Sequence, residues 1–214
     1  MKCGILPAGG KSKRWDGFPK EMLPSYSGSW TLLDRMILLQ QRALVDLVYL
    51  MSSEDKYDLH RWWIEDKRKW PNVPILLAGS IRDAILGAIN ANGRADWVFS
   101  MPDTVTDIPL FPEELESPLV LGLFDTDEPE RFGVIRDGYI VDKKMGDDGK
   151  AWGAFMFSAD VAQFWLDNKL EDHTAMLNAA IEEFGFTSWD IHVYRDIASY
   201  IDYIKFLGEA YGKD

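Results

Sequence analysis

Apolar and polar positions along the 214-residue chain follow two periods in turn. Cys3 to Leu6 is a short apolar run ending in Pro7-Ala8-Gly9-Gly10, the mark of a strand entering a loop. Leu32, Leu33, Met36, Ile37 and Leu39 then fall near helical spacing, with Ser29 and Thr31 as candidate caps, and predict a helix over 31–43. Leu47 to Met51 predicts a second strand, 54–70 a charged helix carrying Tyr57, Trp62, Trp63 and Trp70, and Pro74 to Leu77 a brief buried strand. Ser80 caps a predicted helix with the apolar stripe Ile81, Ala84, Ile85, Ala88 and Ile89. A fourth strand, Trp97 to Met101, runs into Pro102-Asp103-Thr104. This alternation predicts a mainly parallel sheet with helices on both faces, a three-layer Rossmann-like α/β fold.

The second half is patterned differently. Leu119 to Phe124 is apolar, and Phe132 to Ile135 and Tyr139 to Val141 are joined by Asp137-Gly138, a strong hairpin turn. A strand over Trp152 to Phe157, helices over 159–168 and 174–184, a last strand from Trp189 to Tyr194 and a closing helix over 199–211 complete the prediction. No repeat or linker interrupts the chain. It reads as one domain, 1–214, with a phosphate-facing half over about 1–105 and a substrate-facing half over about 106–214.

Composition narrows the function classes. Apolar residues make up 47% of the chain and aromatics 13%, enough to build a core, so disorder is not expected. The apolar runs are too short for a membrane helix, which needs about 20 residues, and the first residues lack a secretory pattern, so a cytoplasmic protein with no membrane partner is expected. Cys3, the single cysteine, reads as packing. The net charge is −12, which disfavours a nucleic-acid partner. Yet Lys2, Lys11, Lys13, Arg14 and Lys20 stand against Asp16 alone in the first 20 residues, which therefore carry +4 and leave −16 on the rest. A basic segment on an acidic chain suggests a local anion site.

That segment is Pro7-Ala8-Gly9-Gly10-Lys11-Ser12-Lys13-Arg14. Its Gly-Gly backbone can approach an anion and offer successive N–H groups. Position 5 is Ile5, so this is not a Walker loop, and no Gly-x-Gly-x-x-Gly fingerprint is present. Asp103, at the carboxyl end of a parallel strand, lies where such sheets bind ligands. Either Asp190 or Asp196, near the last strand, is a candidate second carboxylate. His60, His173 and His192 lack ligand spacing and are expected on the surface or in packing, as most of the nine tryptophans are expected in the core. Lys11 and Lys13 read as surface charge.

Ala8-Gly9-Gly10, Arg14, Pro19-Lys20 and Leu23-Pro24 together resemble the signature of the sugar-1-phosphate nucleotidyltransferases, notably the glucose-1-phosphate thymidylyltransferase-like group. The likeness keeps its order through Ala78-Gly79-Ser80, Met101-Pro102-Asp103-Thr104, Leu121 to Phe124, Arg131 to Ile135, Ile140-Val141-Asp142-Lys143, Trp152 to Phe157 and Asp196-Ile197-Ala198-Ser199. Only Trp15 to Phe18 separate the arginine from the Pro-Lys pair, Asp142-Lys143-Lys144 stands where the family has Glu-Lys-Pro, and the chain is a compact form. The resemblance implies a GT-A-like fold with a mixed, mainly parallel central sheet, and transfer of a nucleotide to a sugar 1-phosphate with release of pyrophosphate. It implies Arg14, Lys20 and Lys143 as catalytic residues. Leu6, Ala8, Gly9, Gly10 and Gly79 would bind the nucleotide, Gly133 and Asp142 the sugar, and Asp103 and Asp196 Mg²⁺. The partners would be a nucleoside triphosphate and a sugar 1-phosphate, most commonly thymidine or uridine with glucose 1-phosphate. No motif sets an oligomeric state. Three other readings stay open: a molybdenum-cofactor guanylyltransferase, whose opening Ala8 to Arg14 also resembles; a glycosyltransferase using Asp125-Thr126-Asp127; and a nucleotide-sensing scaffold without turnover.

Overall fold

The computed structural model describes residues 1–25, 30–106, 111–126, 128, 131–141 and 149–211. Strand β1 (Lys2–Pro7) is followed by α1 (Leu32–Arg42), β2 (Leu47–Ser52), α2 (Tyr57–Arg61), β3 (Ile75–Leu77), α3 (Ile81–Asn92) and β4 (Asp96–Ser100). Then come β5 (Thr104–Thr106), β6 (Leu119–Phe124), the hairpin β7 (Val134–Arg136) and β8 (Tyr139–Val141), and β9 (Ala151–Phe157). Helices α4 (Ala159–Asp167) and α5 (His173–Phe184), strands β10 (Thr187–Asp190) and β11 (Tyr194–Asp196), and α6 (Tyr200–Tyr211) close the chain.

The main sheet runs β10-β6-β9-β4-β1-β2-β3. β1 is parallel to β2 and β4, β2 to β3, and β6 to β10, while β9 lies antiparallel between β4 and β6. Alternate residues along each strand face opposite ways. Cys3, Ile5, Trp97, Phe99, Phe155 and Phe157 therefore pack under α3, α4 and α5, whereas Leu6, Val48, Leu50, Val98 and Met156 pack under α1. Both faces are covered, as the sequence predicted.

Caps set the helix starts. Thr31 and Asp34 form a reciprocal box, Asp34 N donating to Thr31 Oγ1 at 3.1 Å and Thr31 N to Asp34 Oδ2 at 2.9 Å. Ser80 Oγ accepts from Asp83 N at 3.1 Å. The hairpin turn carries φ of 50° at Asp137 and 82° at Gly138, the left-handed pair expected of a two-residue turn.

Two details depart from expectation, and a third, at Cys3, agrees with it. The charged helix over 54–70 is instead the short α2 and a π-helical segment, Trp62–Arg68, where Arg68 lies over the rings of Trp30 and Trp63 and pairs with buried Asp34. The single strand expected from Trp189 to Tyr194 is two: β10 pairs with β6, and β11 pairs antiparallel with β5, a strand that the sequence pattern did not indicate. Cys3 is fully buried and its thiol is pushed up to about 11 by burial, which fits packing rather than reactivity. Among the described residues no helix is long and apolar enough to cross a membrane.

Candidate active site

In the order β4-β1-β2-β3 the chain runs from β1 through β2 to β3 on one side and then crosses back to β4 on the other, so the carboxyl end of β1 is a topological switch point where such sheets bind ligands. The glycine loop leaves β1 there. A Cβ on Gly9 would stand 2.8 Å from Ala78 O and 3.2 Å from Ser53 N, so the loop passes between the ends of β2 and β3 only because residue 9 lacks a side chain. Gly10 faces open space and lines two clefts, of about 250 and 230 Å³.

Ser12 and Asp16 adopt left-handed φ of 45° and 50° and bracket a 3₁₀ turn, Lys13–Trp15, that presents exposed Arg14 to the larger cleft. Trp15 fastens this turn to the start of α6: its indole N–H donates to Ala198 O at 3.2 Å, and its ring meets Tyr200 and Tyr203 edge-on at 6.0 and 6.1 Å.

Across the cleft stand two carboxylates. Asp103 follows β4, and the β5/β11 ladder pairs Asp196 with Thr104, while Ile197 N donates to Asp103 O at 3.2 Å. Burial, and next to it the charge of Asp103, hold the Asp196 carboxyl above its ordinary range, partly offset by Lys20 and Arg131. Asp103 is 6% exposed; its Oδ2 pairs with the Lys20 ammonium, and its buried Oδ1 has no hydrogen-bond donor among the described residues. For Lys20, burial works to lower the pKa, but Asp103 and Asp196 outweigh it and hold the ammonium above its usual range. Arg131 holds Asp196 as well, through Oδ2 at 3.4 Å and the main-chain oxygen at 3.2 Å, and also binds Asp202.

The structure thus brings Arg14, Lys20, Ala8, Gly10 and Asp103 to one cleft, while Asp196 lines two neighbouring cavities. Asp190 lies elsewhere, exposed and paired with Lys150 at 2.5 Å. Gly9 and Gly79 line the smaller cleft. The side chain of Leu6 is fully buried in the core under α1, with Pro7 at the rim. Gly133 lines a third cavity of about 340 Å³ with Trp152, Phe132, His173, Tyr194 and Asp196. Asp142 and Lys143 lie outside the described residues. Asp125 is exposed at a cavity of about 470 Å³ that Asp196 also lines, and Asp127 lies outside the described residues. Among the described residues no group of three or more His, Cys, Asp and Glu could hold a metal ion.

Neither a protein-family model nor a curated protein matches the sequence. Solved structures do match. A protein of Bacillus anthracis described as a glucose-1-phosphate thymidylyltransferase, crystallised with sucrose, superposes with a TM-score of 0.83 at 15% identity, over 100% of this chain and 97% of the other. A UDP-glucose pyrophosphorylase complexed with UDP-glucose gives 0.79 at 16% identity over 100% and 99%. An inositol-1-phosphate CTP transferase from T. maritima gives 0.74 at 17% identity over 98% and 96%. This chain has the sugar-1-phosphate nucleotidyltransferase fold.

Within that fold, four residues of the cleft region escaped the sequence reading as site residues. Arg131 was read only as part of a motif. Glu21, Lys56 and His60 form a buried charged group beneath the glycine loop. His60, expected on the surface or in packing, is fully buried and hydrogen-bonded at both ring nitrogens, to Glu21 and Ser52. For Lys56 the signal is position: residues 53–56 follow the carboxyl end of a parallel strand, as Asp103 does.

Proposed function

We propose that the chain is a nucleotidyltransferase that couples a nucleoside triphosphate to a sugar 1-phosphate, giving a nucleoside diphosphate-sugar and pyrophosphate. One observation carries this reading: the glycine loop, Arg14, Lys20 and Asp103 meet at one cleft at the switch point of this fold, and Asp196, which feels the charges of Asp103 and Lys20, lines the neighbouring cavity.

In the reaction a phosphate oxygen of the acceptor attacks the α-phosphorus. The bond from that phosphorus to the oxygen bridging to the β-phosphate breaks, and pyrophosphate leaves with the electron pair. Two anions must meet, so the work of the protein is alignment and charge neutralisation. The Gly9-Gly10 backbone and Arg14 hold the triphosphate, and Lys20 sits beside the reacting phosphates. Ala8 and Gly79 border the base, with Leu6 limited to main-chain contact. Gly133 and Asp142 face the sugar, and Lys143 orients its phosphate, the last two on sequence resemblance. The aromatic walls of Trp152, Phe132 and Tyr194 suit a sugar ring.

The carboxylate pair fits Mg²⁺. Among the described residues Asp103 Oδ1 has no donor, and Asp196 is held above its ordinary range by burial and then by the like charge of Asp103, so the pair would gain from a cation. Two carboxylates plus substrate phosphates are the usual Mg²⁺ ligands. Magnesium bound there would neutralise phosphate charge.

Incubation with Mg²⁺, each nucleoside triphosphate and a panel of sugar 1-phosphates, following pyrophosphate, tests the proposal. One pair should turn over, and Asp103→Asn should reduce that turnover at least about a hundredfold. Nucleotide binding without pyrophosphate from any pair would favour the sensing scaffold instead.

A further inference from the structure

Beneath the glycine loop lies a charged group to which the reaction above gives no task. Lys56, on the turn leading into α2, is 5% exposed. Its ammonium donates to Ala8 O at 3.3 Å, Ser12 Oγ at 3.2 Å and Glu21 Oε1 at 3.1 Å. An ammonium has three N–H groups, and all three are used. None is left for a phosphate. The three acceptors stand at the start, the middle and the far end of the segment that carries Gly9, Gly10, Arg14 and Lys20.

The group is anchored from behind. Glu21, 3% exposed, also accepts from His60 Nε2 at 3.0 Å, and His60 Nδ1 shares a 2.8 Å hydrogen bond with Ser52 Oγ at the end of β2. The loop is thereby tied to a central strand. Ser12, tied through its hydroxyl, is a non-glycine residue with φ of 45°, a conformation that a side chain disfavours and that a tertiary contact must hold. Buried ion groups add little net stability, because desolvation offsets their attraction. What this one supplies is shape.

We propose that Lys56 is a positioning residue that holds the glycine loop in its anion-receiving form before the ligand arrives. The identity of the ligand rests on the nucleotidyl-transfer reading; the clamp itself does not. A loop that is already ordered loses less entropy on binding, so removal of the clamp weakens triphosphate binding more than it slows the chemical step.

The test is Lys56→Met in the full chain, read first by amide hydrogen exchange without ligand. Amides of residues 9–18 should exchange about tenfold faster or more while those of α4 keep their rates. Calorimetry with inorganic tripolyphosphate should show about tenfold weaker binding. Where nucleotide turnover is measurable, KM for the triphosphate should rise by a similar factor, with kcat and the acceptor KM changed less than about threefold. Lys56→Met/Glu21→Gln removes both charges and gives the same readings without leaving a lone buried carboxylate. Unchanged exchange over 9–18 with unchanged tripolyphosphate affinity would overturn the proposal, as would exchange accelerated equally everywhere or unfolding of both variants. If the native protein turns over no nucleotide pair, the transferase reading fails, while exchange and tripolyphosphate binding still decide the role of Lys56.

Discussion

On the proposed function, Asp196 is a residue at which the needs of folding and of ligand binding oppose one another. Burial and the neighbouring Asp103 disfavour its ionised form, so in the metal-free protein at neutral pH its charge works against the fold. The asparagine isostere removes the charge and keeps an oxygen for Arg131. Asp196→Asn should therefore raise the melting temperature, by roughly 2–4 °C for each kcal/mol recovered in a chain of this size, while pyrophosphate release falls at least about a hundredfold. Scanning fluorimetry without metal and the pyrophosphate assay give the two readings. A lower melting temperature would mean that attraction to Arg131 outweighs repulsion by Asp103. Lys20 shows the same tension with the opposite sign. It neutralises Asp103 in the free protein, yet it is the cation expected to meet the phosphates.

Strand β11 sets where Asp196 stands, and β11 is itself set by a close contact. Tyr194 stacks on Phe124 at 4.1 Å between centroids, and its hydroxyl lies 3.3 Å from both Gly153 O and Thr104 Oγ1. A Cβ on Gly153 would fall 2.2 Å from the Tyr194 ring, so β9 and β11 fit together only with glycine there. Gly153→Ala should displace the ring and, two residues on, Asp196. The expected loss is about 1–3 kcal/mol in urea unfolding, with a larger fall in kcat than Tyr194→Phe, which keeps the ring and loses about 0.5–1.5 kcal/mol of hydrogen bonding. Equal activity in the two variants would uncouple β11 from the site. This element was also the least legible in the sequence. The strands of the first half, buried on both faces, show as continuous apolar runs, and Thr31 and Ser80 announce their helices. Between 187 and 196 the chain leaves one sheet, turns and enters another. Two strands of four and three residues are too short for a period of two to separate them. Of the proposed site residues, the glycine loop and Asp103 stand out in the sequence because they follow strand ends, whereas Arg14, Lys20 and Asp196, the last within β11, are singled out by family resemblance. Lys56 and His60 do not stand out, because both fall in a stretch that reads as one charged helix over 54–70, and only the tertiary packing of α2 and the turn before it against the loop buries them.

Over the whole molecule, the titration of these buried groups predicts how stability follows pH. Glu21 is pushed up by burial, but the His60 hydrogen bond and the Lys56 charge outweigh this and hold it below its ordinary range. Burial likewise works against ionised Asp202, and the hydrogen bond from Ser199 with the charge of Arg131 reverses it. A carboxyl with a lower pKa folded than unfolded contributes stability that is complete above its unfolded pKa. That stability is lost as pH falls through the folded value. Asp196 has the opposite sign: ionising it as pH rises past the unfolded value opposes the fold. The net charge of −12 adds self-repulsion that grows in the same direction. Acidification from neutrality should first stabilise the metal-free protein and then, once Glu21 and Asp202 take up protons, destabilise it. Melting temperature should peak between the pH at which Asp196 protonates, above its ordinary range, and the pH at which Glu21 and Asp202 protonate, below theirs. Glu21→Gln should flatten the acid limb and leave the neutral limb in place, because only the first depends on that carboxylate. An acid limb of unchanged slope in Glu21→Gln would assign acid unfolding to other carboxylates and remove the Lys56-Glu21-His60 group from the account of stability.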